Sequence, residues 1–440
     1  MTHYQEQLTS LLKNNIEENE AIRSLRLNAF DSFKRLGFPT KKDEDWRFTN
    51  FSKIQNGSFR LSKPSDLPND FESPKLLNDH SYPIVIINGH YQPQLSKIPD
   101  GISVFSGSDY FKSNPHSYTI NSNKAYSSTM NNPFYLLNTS LMNSGLSFEI
   151  SENIQIERPI EIFFYTSETD DPIMNHPRFH FRLRKNSKAT IIEHYSGQTE
   201  QSYFINTVSN FELEENAHLS HFRFQDDSFH SSHTSFSGYI LNKYSNLNCN
   251  CLSIGSDLYR HNIKVDFKGS NGFARINGLS LIDSSRHHDL NVIVNHLDNF
   301  CTSSQLFKFI LSDSSTGVFN GKVIVDKNTF QTNANQINRN LLLSSSSNMN
   351  SNPQLEIHAE DVKCSHGSTT GQIDPEALFY LRSRGISKQR AIELVVEGFA
   401  KEIFNNIKDD SFQSKVNQKI GQWLESVSKH DKNLKITRYN

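Results

Sequence analysis

The sequence predicts a mainly β chain, a solenoid-like stack of short strands flanked by an N-terminal and a C-terminal α-helical region. Three observations carry that prediction. Apolar residues recur at helical spacing near both ends of the chain. From about Tyr82 to Ala359 the period falls to two, in short runs bounded by Asn, Ser, Gly and Asp. The composition agrees, with 32 Phe in 440 residues but only 35 % hydrophobic residues overall, which suits short strands and polar turns better than a Leu/Ala-rich bundle.

In the N-terminal region, residues 1–80, helical spacing links Leu8, Leu11 and Leu12, then Ile22, Leu25, Ala29, Phe30, Phe33 and Leu36. Gly37 and Pro39 supply the stop. The mixed charge run in "KKDEDWRF" reads as solvated surface with one aromatic anchor, Trp46, and a Pro/Ser/Asn/Asp-rich tether follows to about His80. In the β core, residues 81–372, the alternating sets are Ile154/Ile156, Phe179/Phe181/Leu183, Ile263/Val265/Phe267 and Leu290/Val292/Val294. A β region this long exceeds a usual sandwich, whereas a solenoid lengthens its core with every added rung. In the C-terminal region, residues 373–440, Asp374 is placed to cap a helix that Pro375 starts and Gly385 ends. Ser387 caps a second helix with the stripe Ile392, Val395, Val396, Phe399 and Ile403. A third carries Phe412, Val416, Ile420, Trp423, Leu424 and Val427. These stripes are expected to pack on one another and on the β core.

Net charge is −2, from 45 basic and 47 acidic residues, so bulk charge gives no reason to expect a nucleic-acid partner. No apolar run reaches spanning length and the first residues lack a signal-peptide pattern, so a cytoplasmic protein without membrane contact is expected. Four cysteines, Cys249, Cys251, Cys301 and Cys364, are too few for a disulfide scaffold in a chain this long. No GxxxxGK[ST] loop is present, so the chain is not expected to bind ATP by itself.

The segment "EIHAEDVKCSHGSTTGQ" holds the main candidate site, Cys364 and His366. Two apart on a strand, they project from one face and could address one metal ion together, a thiolate and an imidazole both being good iron ligands. Taken alone, a Cys-x-His pair is more often structural. Two ligands also leave a cluster site half built. A Cys/His catalytic dyad is disfavoured, because the pair is parallel and spaced near the limit of a hydrogen bond, with no nucleophile motif around it. Cys249, Cys251 and Cys301 read as packed in the core. Of His287, His288, Asp289 and His296, only His288 and His296 share strand parity with each other among the histidines. Hydrogen bonding along a solenoid face is therefore expected there rather than zinc.

The run "LEIHAEDVKCSHGSTTGQIDPEALFYLRSRGISKQRAIELVVEGFAKEI" resembles the SufD branch of the SufB/SufD family of iron–sulfur cluster assembly factors. So do "PTKKDEDWRFTN", "RHHDLNVIVNHLDNFCTSSQLFKFIL" and "GVFNGKVIVDKNTFQTNANQINRNLLLS". The resemblance is dense from about Arg286 to Phe404 and sparse between Asn50 and Asp283. It implies a right-handed parallel β-helix and a non-catalytic scaffold. It also implies pairing with SufB, at whose interface a nascent cluster is built, and docking of the SufC ATPase on the C-terminal helices. His366 corresponds to the family's interface histidine and Cys364 to the cysteine beside it. No cofactor is then expected to be permanently bound, only transient iron or an iron–sulfur cluster at the SufB interface. Phe379, Tyr380, Arg382 and Arg384 in "FYLRSRGI" are the expected SufC-facing residues. Exposed interface surface of this kind is also compatible with a homodimer when SufB is absent. The alternative class, a carbohydrate-active β-helix such as a polysaccharide lyase, would call for a secretion signal and paired carboxylates in a groove, and neither is evident.

Overall fold

All but one of the alternating runs form strands, and these pair in parallel not with the neighbour in sequence but with the strand after next. Two parallel sheets result, joined at every turn of a coil. The computed structural model describes residues 1–15, 18–66, 71, 73, 75–106, 131–197, 200–404 and 410–430. The first sheet stacks Ser144–Ile150, Pro177–Leu183, Tyr203–Leu213, Ser231–Leu241, Leu258–Phe267, His287–His296, Thr316–Val325 and Asn348–Ile357. The second stacks Ile160–Thr166, Lys188–Gly197, His218–Asp226, Asn246–Ser253, Phe273–Ile282, Thr302–Leu311, Thr332–Leu342 and Val362–Gln372. The result is a β-solenoid of about eight turns spanning residues 144–372, as the periodicity predicted. Tyr82–Ile87 extends the second sheet in parallel, while Ile102–Ser106 adds to the first antiparallel at the same end.

Side chains of one parity fill the space between the sheets. Phe148, Phe181, Phe211 and Tyr239 stack rung upon rung, with ring centroids 4.6–4.9 Å apart. Ile263, Val265 and Phe267 and, one rung on, Leu290, Val292 and Val294 continue this core. The Ile154/Ile156 alternation forms no strand. Only Gln155 makes an isolated bridge, to Lys188, and both isoleucines pack into the core from a corner.

One corner repeats along the whole stack. Asn153, Asn186, Asn216, Tyr244, Asn271, Phe300 and Gln331 all have φ between 53° and 62°. Each donates its N–H to a carbonyl of the following turn at 2.7–3.1 Å. Asn tolerates this left-handed conformation better than other residues with a side chain, and Asn153, Asn186 and Asn216 also chain their amides at 2.8 and 2.9 Å.

Helices cover the outer faces. Helix α1 (Thr2–Asn14), helix α2 (Glu20–Leu36) and the short α3 (Ser52–Asn56) pack through Tyr4, Leu8, Phe30, Phe33 and Ile54. Gly37, at φ 73°, ends α2 as expected, but Leu36 from the predicted stripe is exposed. These helices rest on α4 (Pro133–Leu141), which sits within the region read as β. Asn132 caps α4 and Pro133 starts it, a signal the sequence did contain. It was obscured because every residue of α4 is buried, leaving no polar face to reveal a 3.6 period. Trp46 is buried and lies 3.8 Å from the guanidinium of Arg260, while the charged residues before it are solvated. Arg260 is paired with Asp289, which also accepts from the Thr49 hydroxyl.

The second sheet carries the C-terminal helices α5 (Pro375–Ser383), α6 (Lys388–Lys401) and α7 (Asp410–His430). Asp374 accepts from the Glu376 N–H, Ser387 accepts from the Arg390 N–H, and Gly385 takes φ 85°. Ile392, Val396, Ile403, Val416, Ile420, Trp423, Leu424 and Val427 are buried with Phe222, Phe224, Leu252, Leu279 and Ile310 of the sheet. The side chain of Phe412 lies outside the described residues. Buried Lys308 donates to the Phe399 carbonyl at 2.7 Å and pairs with Glu402, which also holds Arg339 at 3.1 Å. Lys419 pairs with Asp226, and Lys415 with Asp79 at 2.8 Å. Among the described residues no helix is long and apolar enough to cross a membrane.

Candidate functional site

The last turn of the solenoid is unfinished. Asn348–Ile357 and Val362–Gln372 each pair with a strand on one side only, and among the described residues nothing pairs with their other edges. Register places Cys364 over Ala334, His366 over Gln336 and Ser368 over Asn338, and all three lower residues are buried. Cys364 and His366 therefore share the inward-facing parity of their strand. Ser368 and Ser351 join across the two sheets at 2.7 Å, and the Ser351 hydroxyl donates to Asn338 at 2.7 Å. The end of the lumen is thus lined by carboxamides and hydroxyls, with Gln336 donating to Gln305 at 3.1 Å one turn further in.

His366 is exposed and Cys364 half-buried against Val323, Val325 and Ala334. Burial pushes the Cys364 thiol above its ordinary range. It should consequently stay protonated at neutral pH until a metal or other electrophile displaces the proton. Cys249, Cys251 and Cys301 are fully interior. Iodoacetamide labelling of the native chain should therefore modify one thiol of the four, slowly at pH 7 and faster above the usual thiol range, and Cys364→Ser should abolish it. Mass spectrometry of the labelled peptide checks this.

The other sequence candidates resolve as hydrogen-bonding groups. His288 donates its Nε2–H to the Gly255 carbonyl at 2.9 Å, His296 meets Ser303 at 2.9 Å, and His287 points the other way to Thr49 at 2.9 Å. Among the described residues no group of three His, Cys, Asp or Glu side chains is arranged to hold a metal ion. Phe379 and Tyr380 are 75 % and 58 % exposed on α5, with Arg382 and Arg384 exposed beside them. The Arg384 guanidinium lies 5.3 Å from the Tyr380 ring.

Sequence reasoning missed a polar section inside the solenoid. Glu193 is wholly buried, paired with Arg223 and accepting from Ser209. Arg223 also donates to Tyr195 at 2.9 Å and meets His233 at 3.1 Å, and His233 is held by Asp227 at 2.7 Å. Burial pushes the Glu193 carboxyl up, but the Arg223 charge and the hydrogen bonds from Ser209 and Arg223 hold it below its usual range. Cys249 and Cys251 lie beside this group, sulfurs 3.9 Å apart. Hydrogen bonds from Cys251, His221 and Tyr239 hold the Cys249 thiol well below its ordinary value. Toward the open end this section is closed by Phe307, which occupies the space over Gly278. A Cβ there would come within 2.6 Å of the ring. The available signal was parity: Glu193 and Arg223 fall on the inward positions of their strands, where an apolar residue is the norm.

Fold and site together define a helix-flanked parallel β-solenoid whose last turn carries a cysteine and a histidine on one strand face. Residues 1–162 match the SufBD protein N-terminal region and residues 164–399 match the core domain "SUF system FeS cluster assembly, SufBD core domain". The chain belongs to the SufBD family of the SUF iron–sulfur cluster assembly system. It is 30 % identical over 394 residues to the iron–sulfur cluster assembly protein SufD of Escherichia coli, covering 89 % of this chain and 90 % of that one. A SufBD family iron–sulfur cluster assembly protein of Synechocystis sp. is 32 % identical over 416 residues, 91 % of each chain. The chloroplastic protein ABCI7 of Arabidopsis thaliana is 27 % identical over 401 residues, covering 87 % of this chain and 82 % of that one.

Proposed function

We infer that the chain is a SufD-type scaffold subunit, without catalytic activity of its own, acting in the cytoplasm. One observation carries this reading: the solenoid ends on two strand edges that are unpaired among the described residues, with Cys364 and His366 on the inward face of the last strand. Unpaired edges are completed by strands of another chain. The assigned partner is a SufB subunit, which would supply the remaining ligands to transient iron or an iron–sulfur cluster. Half a ligand set on each chain suits a cluster that must leave. The exposed imidazole of His366 is available to a metal without opening the fold, whereas Cys364 needs its proton displaced. SufC is assigned to the exposed Phe379, Tyr380, Arg382 and Arg384 surface, since the inner stripes of α6 and α7 are already spent on the sheet.

Co-expression with SufB and SufC, followed by visible absorption of the purified complex, tests the cluster role. His366→Ala should lose most of the cluster absorption while leaving the complex assembled. Unchanged absorption would defeat the assignment of His366. Charge reversal at Arg382 and Arg384 should weaken SufC retention in a pull-down, and undiminished retention would remove that surface from consideration.

A further inference from the structure

The left-handed corner is not filled by Asn in every turn. Where Asn153, Asn186, Asn216 and Asn271 hold it in four turns, Tyr244, Phe300 and Gln331 hold it in the others, Phe300 at φ 58° with Phe330 beside it. A bulky aromatic is an unfavourable occupant of this conformation, and such outliers point to function when their surroundings do not demand them. Nothing internal demands these rings: Phe300 and Phe330 are each 42 % exposed and meet edge to face at 5.0 Å, and Leu297, three residues before Phe300 in the same loop, is exposed as well. Their backbones are fixed, Phe300 N–H to the Phe330 carbonyl at 3.1 Å and Phe330 N–H to Asn299 at 3.0 Å. The ridge is therefore a preformed apolar feature, which costs little ordering on contact.

Its surroundings are acidic. The three loops that build it, residues 297–301, 326–331 and 358–361, contribute Asp298, Asp326, Glu360 and Asp361 against one lysine, Lys327. None of these carboxylates is ion-paired with another described residue. An exposed aromatic pair ringed by unpaired carboxylates is complementary to apolar side chains carried on a cationic segment. We propose that the Leu297/Phe300/Phe330 ridge is a docking site for a lysine- or arginine-rich segment of a partner protein that inserts apolar side chains between its charges.

The test uses the full chain and a fluorescein-labelled peptide of alternating leucine and lysine, followed by anisotropy at about 0.15 M salt. The Phe300→Asn/Phe330→Ser variant should melt at or above the wild-type temperature, since Asn suits the corner, yet bind about tenfold more weakly. Glu360→Lys/Asp361→Lys should weaken binding similarly, and a leucine/glutamate peptide should not bind. Affinity of either variant within about twofold of wild type, or equal binding of the acidic peptide, overturns the proposal. So does sedimentation showing that the wild type self-associates through this ridge and the aromatic variant does not, because the occupant would then be a second copy of the chain.

Discussion

Arg223→Ala should destabilise the chain by about 3–5 kcal/mol, among the largest effects of any single substitution, because it strands the Glu193 carboxylate inside the solenoid. The guanidinium is the hub of that section, meeting Glu193, Tyr195 and His233, and no solvent reaches the carboxylate to replace it. Neutralising the partner should recover much of the loss. Glu193→Gln/Arg223→Met is expected to be markedly more stable than Arg223→Ala alone, since a buried pair replaced as a whole removes both desolvation penalties. Urea unfolding followed by fluorescence measures both, with Trp46 reporting from the first sheet and Trp423 from the second. An Arg223→Ala chain that unfolds with wild-type midpoint would show that the pair contributes nothing.

Acidification should unfold the chain before its carboxylates titrate. Burial pushes His176 and His288 down to about 3, and His180 and His296 down to about 4. Their unfolded value is about 6.5, so the unfolded chain binds more protons throughout the interval between. The stability each contributes is complete above about pH 6.5 and is lost as pH falls toward the folded value, at about 1.4 kcal/mol per unit per histidine. Urea midpoints should accordingly fall steeply from about pH 6.5 to about pH 4, and His288→Gln should flatten the slope. A flat profile over that interval would mean these imidazoles are hydrated in solution.

What could be read from the sequence follows from what each signal encodes. The strands were legible because Phe179/Phe181/Leu183 and Leu290/Val292/Val294 line a one-sided core, and such a core writes its period into the chain. The C-terminal caps at Asp374 and Ser387 were legible because capping is local chemistry. Helix α4 was hidden by its own burial, and the Glu193–Arg223 pair by register, since residues 30 apart become neighbours only once the rung length is known. For Cys364 and His366 the sequence supplied the shared face. It could not supply the open end of the lumen, which depends on how many turns precede them.

The lysine ties between the C-terminal helices and the second sheet have a mechanical meaning. Lys308 and Arg339 anchor the end of α6 near the open turn, while Lys419 and Lys415 of α7 reach Asp226 and Asp79 toward the other end. A tug on these helices is thus shared among anchors many rungs apart and loads the stack in shear, not by peeling one strand at a time. Under such traction the solenoid should move as one body and carry along whatever is attached at its tip.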